Sequence, residues 1–316
     1  MDIVECCVGI FAGSLLRGSG LAAAPVVLIG KSISRLEKFL RQKFPQTLAG
    51  ETKAGVILAV CIPLCSLLLF GGILLLAYHI SFWLWFVLHT FWSYQILAAR
   101  CLEQESRKVY RFLAAGDLSG ARTQLSYLVG RETSQLSAEE VTKACVETVA
   151  ENTSDGVTAP LFYLLLGGVP LGFCYKAINT LDSMVGYRNA KYLFFGRASA
   201  KTDDAANWLP ARICGVLLTC FRRFFVGLDG KGAWRIFRRD RNNHLSPNSA
   251  QTESAAAGAL GIQLGGTHVY FGEVVEKPTI GDADRPAEPE DIPRTNGMML
   301  AASGCHCWDL VCCGWL

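Results

Sequence analysis

The sequence predicts an all-α, multi-pass integral membrane protein with cytoplasmic helical and loop segments. Three observations carry that reading. Of 316 residues, 51% are hydrophobic and only 18% charged, against roughly 25% charged in ordinary globular chains. Two adjacent stretches, 54–78 and 80–99, contain no Asp, Glu, Lys or Arg. Beyond them, apolar residues recur at helical spacing behind capping residues.

The elements follow in order. The opening MDIVECCVGIFAGSLLRG puts Asp2 and Glu5 where a signal peptide needs basic residues, so it reads as a retained apolar segment. Between Gly30 and Ala54, six basic residues face only Glu37 and Glu51, which the positive-inside rule assigns to the cytoplasm. A bilayer core needs about 20 apolar helical residues. AGVILAVCIPLCSLLLFGGILLLAY and ISFWLWFVLHTFWSYQILAA satisfy this and form a transmembrane hairpin over 54–99.

Residues 100–156 turn soluble and helical. One helix ends near Gly116, Asp117 caps a second carrying Leu118, Ala121, Leu125 and Leu128, and Ser137 with Glu140 forms a capping box. Residues 157–228 contain re-entrant or spanning segments around a polar loop, 176–207. Gly167, Gly168 and Pro170 interrupt the run 157–175, and Arg212, Arg222 and Arg223 weaken a span over 208–228. Thr202 is placed to cap a helix with Asp203 and Asp204 in its first turn. Residues 229–295 read as a polar cytoplasmic segment and 296–316 as a divergent tail. The whole chain is read as one membrane domain.

Composition excludes several classes. The net charge of +3 is dispersed, which argues against nucleic acid as a partner. Many of the 13 cysteines lie inside apolar runs, where Cys acts as a small hydrophobe and not as a disulfide framework. Cys305, His306, Cys307, Cys312 and Cys313 lack zinc spacing. There is neither a GxxxxGK[ST] loop nor a dinucleotide fingerprint, so a bound nucleotide has no P-loop.

The chemistry concentrates in polar groups at apolar edges. On the helix begun by Ser137, residues Glu140, Lys143, Glu147 and Glu151 share a face, with Asp155 extending the row. A solvated face explains the pattern alone. An intramembrane Asp costs about 2.5–3.5 kcal/mol, however, so acids beside the run 157–175 call for a wet cavity, the membrane surface or a cation. Mg²⁺ held by Glu147, Glu151 and Asp155 together with phosphate oxygens meets that demand. In KAINTLDSMVGYRN, Lys176, Asn179 and Asp182 precede Arg188 and Asn189 at a helix end and form a second candidate site. In RDRNNHLSPNSAQTESAAAG, Ser246 and Pro247 read as an N-cap and first helical residue, which would place Asn248, Arg241 and His244 at a phosphate-binding helix start.

VGRETSQL, VETVAENTSDGVTAPLFY, NTLDSMVGYRN, FGRASAKTDDAANWLPAR, SPNSAQTESAAAGALGIQLGG and YFGEVVEKPTIGD, in that order, resemble the CobD/CbiB family of cobalamin biosynthesis. The resemblance implies a multi-pass protein of the bacterial inner membrane with its active face in the cytoplasm. The activity it implies is a ligase, adenosylcobinamide-phosphate synthase, which joins adenosylcobyric acid to aminopropanol phosphate or aminopropanol. ATP and Mg²⁺ drive this amide formation, the usual route being an acyl phosphate attacked by the amine.

Under that reading, Glu147, Glu151 and Asp155 serve metal and catalysis, with Asp182 added and His244 as acid or base. Lys176, Arg188 and Arg241 hold phosphate or the corrinoid rim, while Asn152, Asn179, Asn189, Ser246 and Asn248 orient substrate. The expected partners are the corrinoid, the amine and membrane lipid. A second copy, or other membrane proteins of the corrinoid pathway, would complete an assembly. Two departures stand out. The family's GDP and HPV segments are replaced by Arg17–Gly20 and Ala24–Val26, removing an acid and a histidine, and its apolar last span is a Cys- and Trp-rich tail. The competing reading is a non-catalytic regulatory or sensory membrane protein related to the family.

Overall fold

The computed structural model describes residues 24–97, 99–187, 189–220, 228–270 and 273–304. The described residues form helices α1 (Ala24–Lys43), α2 (Leu48–Ile80), α3 (Phe82–Ile96), α4 (Ala99–Ala114), α5 (Leu118–Ser126) and α6 (Ala138–Thr153). A π-helical turn, Ser154–Thr158, leads into α7 (Ala159–Val185) and α8 (Arg197–Cys220). Then come α9 (Gly230–Asp240), α10 (Ser249–Leu260), strands β1 (Leu264–Tyr270) and β2 (Glu273–Ile280), and α11 (Asp291–Ala302). The mainly helical reading stands, but the antiparallel β1–β2 pair corrects the all-α expectation. It lies in the segment read as merely polar, where EVVEKPTI supplies β-branched residues that suit a pleated strand.

Contacts divide the chain into two units: 1–97 with 159–207, and 98–158 with 208–316. The first has a core of Ile33, Leu58, Phe70, Leu164, Phe173 and Leu181. There Phe70 and Phe173 stack with centroids 3.7 Å apart. The outer face of α2 and α3 stays apolar: Leu68, Leu75, Leu76, Ile80 and Trp83 are all exposed. By length and composition alone, α2 and the stretch 138–185, taken without its break at Gly167–Gly168, are long and apolar enough to cross a membrane.

One span expected from sequence is shorter in the structure, and the interruption expected in another takes a definite form. Ser81 takes an extended conformation and ends α2, and α3 runs for only 15 residues before Leu97. At 1.5 Å per residue that is about 22 Å, less than a ~30 Å hydrocarbon core. In α7 the helix breaks at Gly167 (φ −148°, ψ 22°) and Gly168 (φ 64°, ψ −162°). The positive φ at Gly168 suits a residue without Cβ. The chain doubles back here. Tyr163 and Tyr175 stack at 4.9 Å, although twelve residues of straight helix would separate them by about 18 Å. The run 157–175 is thus folded as a helical hairpin.

The second unit packs Val109, Leu125, Val141, Val146, Ile262 and Ile292 into one cluster and Cys214, Leu218, Phe237 and Ala256 into another. Every residue of α10 is buried, which explains its small side chains, SAQTESAAAGAL: neighbouring helices approach closely on all sides. Asp117 caps α5 through the Gly120 amide, and Ser137 and Glu140 make a reciprocal capping box, as the sequence indicates.

Candidate active site

In the second unit, α6 presents its acids to β1 and α10. Its opposite face buries Val141, Cys145 and Val149, so the register of Glu147 and Glu151 is set by apolar packing. Arg131 Nη2 donates to Glu147 Oε2 at 2.5 Å, with only 5% of the Arg131 side chain exposed. The Gly265 amide donates to Glu147 Oε1 at 2.8 Å. Gly265 sits in a β-bulge with φ +74°, which lets β1 turn that amide towards the helix. One turn along α6, Glu151 Oε1 accepts the Ser249 hydroxyl at 2.7 Å. These acids do not form a solvated stripe; each is pinned by a specific donor.

Glu253, one turn past Ser249 on α10, is 4% exposed. Burial, and then the charges of Glu147 and Glu151, hold its carboxyl well above the usual range, against opposing pulls from Lys277 and Arg131. His244 belongs to the same field. Burial and Lys277 depress its pKa, while Glu151 and Glu147 partly restore it. Its Nδ1 accepts the Ser246 amide at 3.0 Å, so a neutral ring carries its proton on Nε2. Three carboxyls, a guanidinium, an ammonium and an imidazole thus act on one another.

Beside this cluster, Arg241 acts electrostatically on Arg212, whose charged form is disfavoured first by burial and then by Arg241. Arg212 Nη1 reaches Asn248 Oδ1 at 3.4 Å and packs over the Trp208 ring at 4.2 Å. Asn248 occupies the N-cap of α10 without a side-chain cap bond. Two guanidinium groups next to a helix start suit an anion.

The expectation for Ser246 is corrected. Helix α10 begins at Ser249, and Ser246 instead accepts the Asn248 amide at 3.3 Å within a turn that Pro247 shapes. Asp155 falls in the π turn Ser154–Thr158, one turn past Glu151, and its charge acts on the buried Cys214 thiol. Asn152 turns back onto the Thr148 carbonyl at 2.9 Å.

Lys176, Asn179, Asp182 and Asn189 belong to the first unit. Asn189 Oδ1 accepts the Tyr192 amide at 3.1 Å, closing the turn before α8. Thr202 does not cap a helix; α8 starts at Arg197, and Thr202 donates to Ala198 O within it. Arg188 lies outside the described residues, as do the altered segment 17–20 and residues 305–316 of the expected tail 296–316, whose first residues continue α11. Among the described residues, no three His, Cys, Asp or Glu side chains converge as a metal-binding group.

Arg131, Glu253, Lys277 and Arg212 were not identified from sequence. All four lie in VGRETSQL, FGRASAKTDDAANWLPAR, SAQTESAAAG and EVVEKPTIGD, blocks that mark the family, so the signal was available without a role attached to it.

A family model described as CobD/Cbib protein matches residues 9–299. The chain belongs to the CobD/Cbib family. A relative named cobalamin biosynthesis protein CobD from Geobacter metallireducens is 49% identical over 90% of this chain and 86% of its own length. Another of that name from Listeria monocytogenes is 52% identical over 73% of each chain, and one from Citrobacter koseri is 46% identical over 88% and 87%. No solved structure shows a significant match. The Glu147–Glu151 row, Glu253 and Arg131 all fall within the stretch that the CobD/Cbib model covers.

Proposed function

We propose that this chain is an amide-forming ligase of cobalamin biosynthesis. It joins adenosylcobyric acid to (R)-1-aminopropan-2-ol O-phosphate, or to aminopropanol, at the expense of ATP. Family membership supports the place in cobalamin biosynthesis. The observation that carries the chemistry is the cluster of Glu147, Glu151, Glu253, His244, Arg131 and Lys277, which pairs acids for a metal with cations for phosphate.

A carboxylate resists amines until its oxygen is made a leaving group. In the proposed sequence, the corrinoid carboxylate oxygen attacks the γ-phosphorus of ATP and ADP leaves. The amine nitrogen then attacks the acyl carbon, the C–O bond to phosphate breaks, and a base takes the ammonium proton. Such transfers depend on positioning and charge more than on covalent protein chemistry. Glu151 keeps one carboxylate oxygen clear of its Ser249 bond, which fits Mg²⁺ held by one or two carboxylates and by phosphate oxygens. When bound, Mg²⁺ supplies charge neutralisation between phosphate groups. Arg131 fixes Glu147, Glu253 in its neutral form can donate to a phosphate oxygen, and Arg212 with Arg241 at the start of α10 suits a terminal phosphate. His244, neutral at physiological pH, is available as the base.

We also propose a multi-pass inner-membrane location with the active face in the cytoplasm. The apolar outer face of α2 and the basic segment 31–53 support it. The decisive assay incubates detergent-purified protein with adenosylcobyric acid, ATP, Mg²⁺ and the aminopropanol phosphate, and seeks the amidated corrinoid by mass spectrometry. Absence of product, where a CobD relative under the same conditions makes it, would refute the ligase reading and favour a regulatory role.

A further inference from the structure

The second unit carries a basic helix face that the candidate site does not use. On α9, Lys231, Trp234, Arg235 and Arg238 are all exposed and follow the i, i+3, i+4, i+7 spacing of one helix face. The other side of α9 is occupied. Ala233, Ile236 and Phe237 are buried, and Gly232 crosses Gly258 of α10 so closely that a Cβ on either would lie within 2.6 Å of the other's carbonyl oxygen. What α9 offers outward is therefore its basic face.

Charge on that face is only partly balanced. Arg235 and Arg239 pair with Asp282 at 3.2 Å and 2.8 Å, and Arg239 also forks onto the buried Asp240. Asp229 accepts the Lys231 amide as the helix cap. Among the described residues, Lys231 and Arg238 make no ion pair. These two cations flank Trp234, one turn before it and one turn after.

Trp234 is 46% exposed and stacks on Phe237 with centroids 5.8 Å apart. Phe237 in turn fills the place a Cβ would take at Gly215 of α8, 2.6 Å away. That end of α8 shows its own outer stripe: Leu209, Ile213 and Val216 are exposed, while Ala211, Cys214 and Leu218 are buried. A basic face, an exposed indole and an aliphatic stripe thus belong to neighbouring helices of one unit.

We propose that this face docks on the anionic surface of a lipid bilayer, with Lys231 and Arg238 on lipid phosphates and Trp234 at headgroup level. Tryptophan favours that interface, and cations gain from the negative potential of the cytoplasmic leaflet. An acidic protein would answer the cations alone; a bilayer edge answers the cations, the indole and the aliphatic stripe together. Because α10 carries Ser249 and Glu253, docking through α9 holds the Glu147–Glu151 cluster at a membrane surface. The inference rests on the membrane location proposed above.

The test reconstitutes the full chain in nanodiscs of phosphatidylcholine alone, or of equal parts phosphatidylcholine and phosphatidylglycerol, with brominated acyl chains that quench tryptophan. Subtracting the Trp234→Phe signal isolates this residue among the seven tryptophans. Trp234 should be quenched in the mixed discs and not in the neutral ones, and high salt should release it. The double variant Lys231→Glu, Arg238→Glu should weaken docking at least about 25-fold, at about fivefold per cation. Both side chains are exposed, so its thermal unfolding in detergent should match wild type.

Equal quenching in the two lipids, or quenching that the double variant keeps, would overturn the docking. Absence of quenching in both would also overturn it and leave the face to an acidic protein. Docking and location fail separately. A chain that does not enter nanodiscs, yet floats with mixed-lipid vesicles through Lys231 and Arg238, loses the spanning location and keeps the docking. A chain that enters the discs with Trp234 unquenched does the reverse.

Discussion

The two acid clusters differ in what holds them. In the second unit, Glu147 and Glu151 are pinned by Arg131, the Gly265 amide and Ser249, and the buried Glu253 feels Lys277 and Arg131 as well as its acidic neighbours. In the first, Asp203 is held by two neutral amides and faces Asp182. Fixed cations among acids make a site that is electrically near balance before substrate arrives, suited to phosphate and metal arriving together. Asp203, by contrast, has two amides and a second carboxylate beside it, and burial with that carboxylate raises its pKa. Similar residue types therefore sit in different electrostatic fields, and the neighbours decide which.

The largest effect should come from Glu151→Gln, which removes a charge but keeps the Ser249 contact. Ligase turnover should fall at least about 100-fold, in line with loss of a metal-orienting group, with expression and thermal unfolding near wild type. Retained turnover would take Glu151 out of the balanced site.

Arg131→Ala tests the balance itself. It leaves Glu147 without its guanidinium in a place where the Arg131 side chain was 5% and the Glu147 side chain 14% exposed. Breaking such a pair should cost about 3 kcal/mol, measurable by chemical unfolding in detergent. A cost below about 1 kcal/mol would class the pair with ordinary surface bridges.

Glu253→Gln should have the smallest effect, and one that depends on pH. The folded pKa of Glu253 lies well above its ordinary 4.5. Its contribution to stability is therefore full below 4.5 and is lost as pH rises towards the folded value. Glutamine has no proton to lose. The variant should match wild type in acid and gain a few degrees of Tm as pH rises through neutrality. A gain that shrinks with rising pH would contradict the burial of Glu253 among acids.

Much of the local structure was legible beforehand because its causes are local. The Ser137–Glu140 box, the Asp117 cap, the helical row of Glu147 and Glu151 and the break at Gly167–Gly168 all depend on residues a few positions apart. The cap placed at Ser246 and the one placed at Thr202 failed for a different reason. Each motif had the right residues, but the helix start was set by turns that pack elsewhere, at Asn248 and at Asn189–Gly196. The short β1–β2 pair was also missed, since a Gly-rich bulge hides its alternation.

By itself, then, the sequence determined the family, the apolar α2, the capped soluble helices and the blocks in which the chemistry lies. Helical period and hydropathy are properties of neighbouring residues and need no partner to be read. Only the tertiary structure brought Arg131, Gly265, Ser249 and Glu253 around Glu147 and Glu151, and set Asn179 against Asp203. Those contacts join residues up to 118 positions apart, as between Gly265 and Glu147. Such long-range proximity is fixed by which apolar faces bury against each other, and no local pattern encodes it.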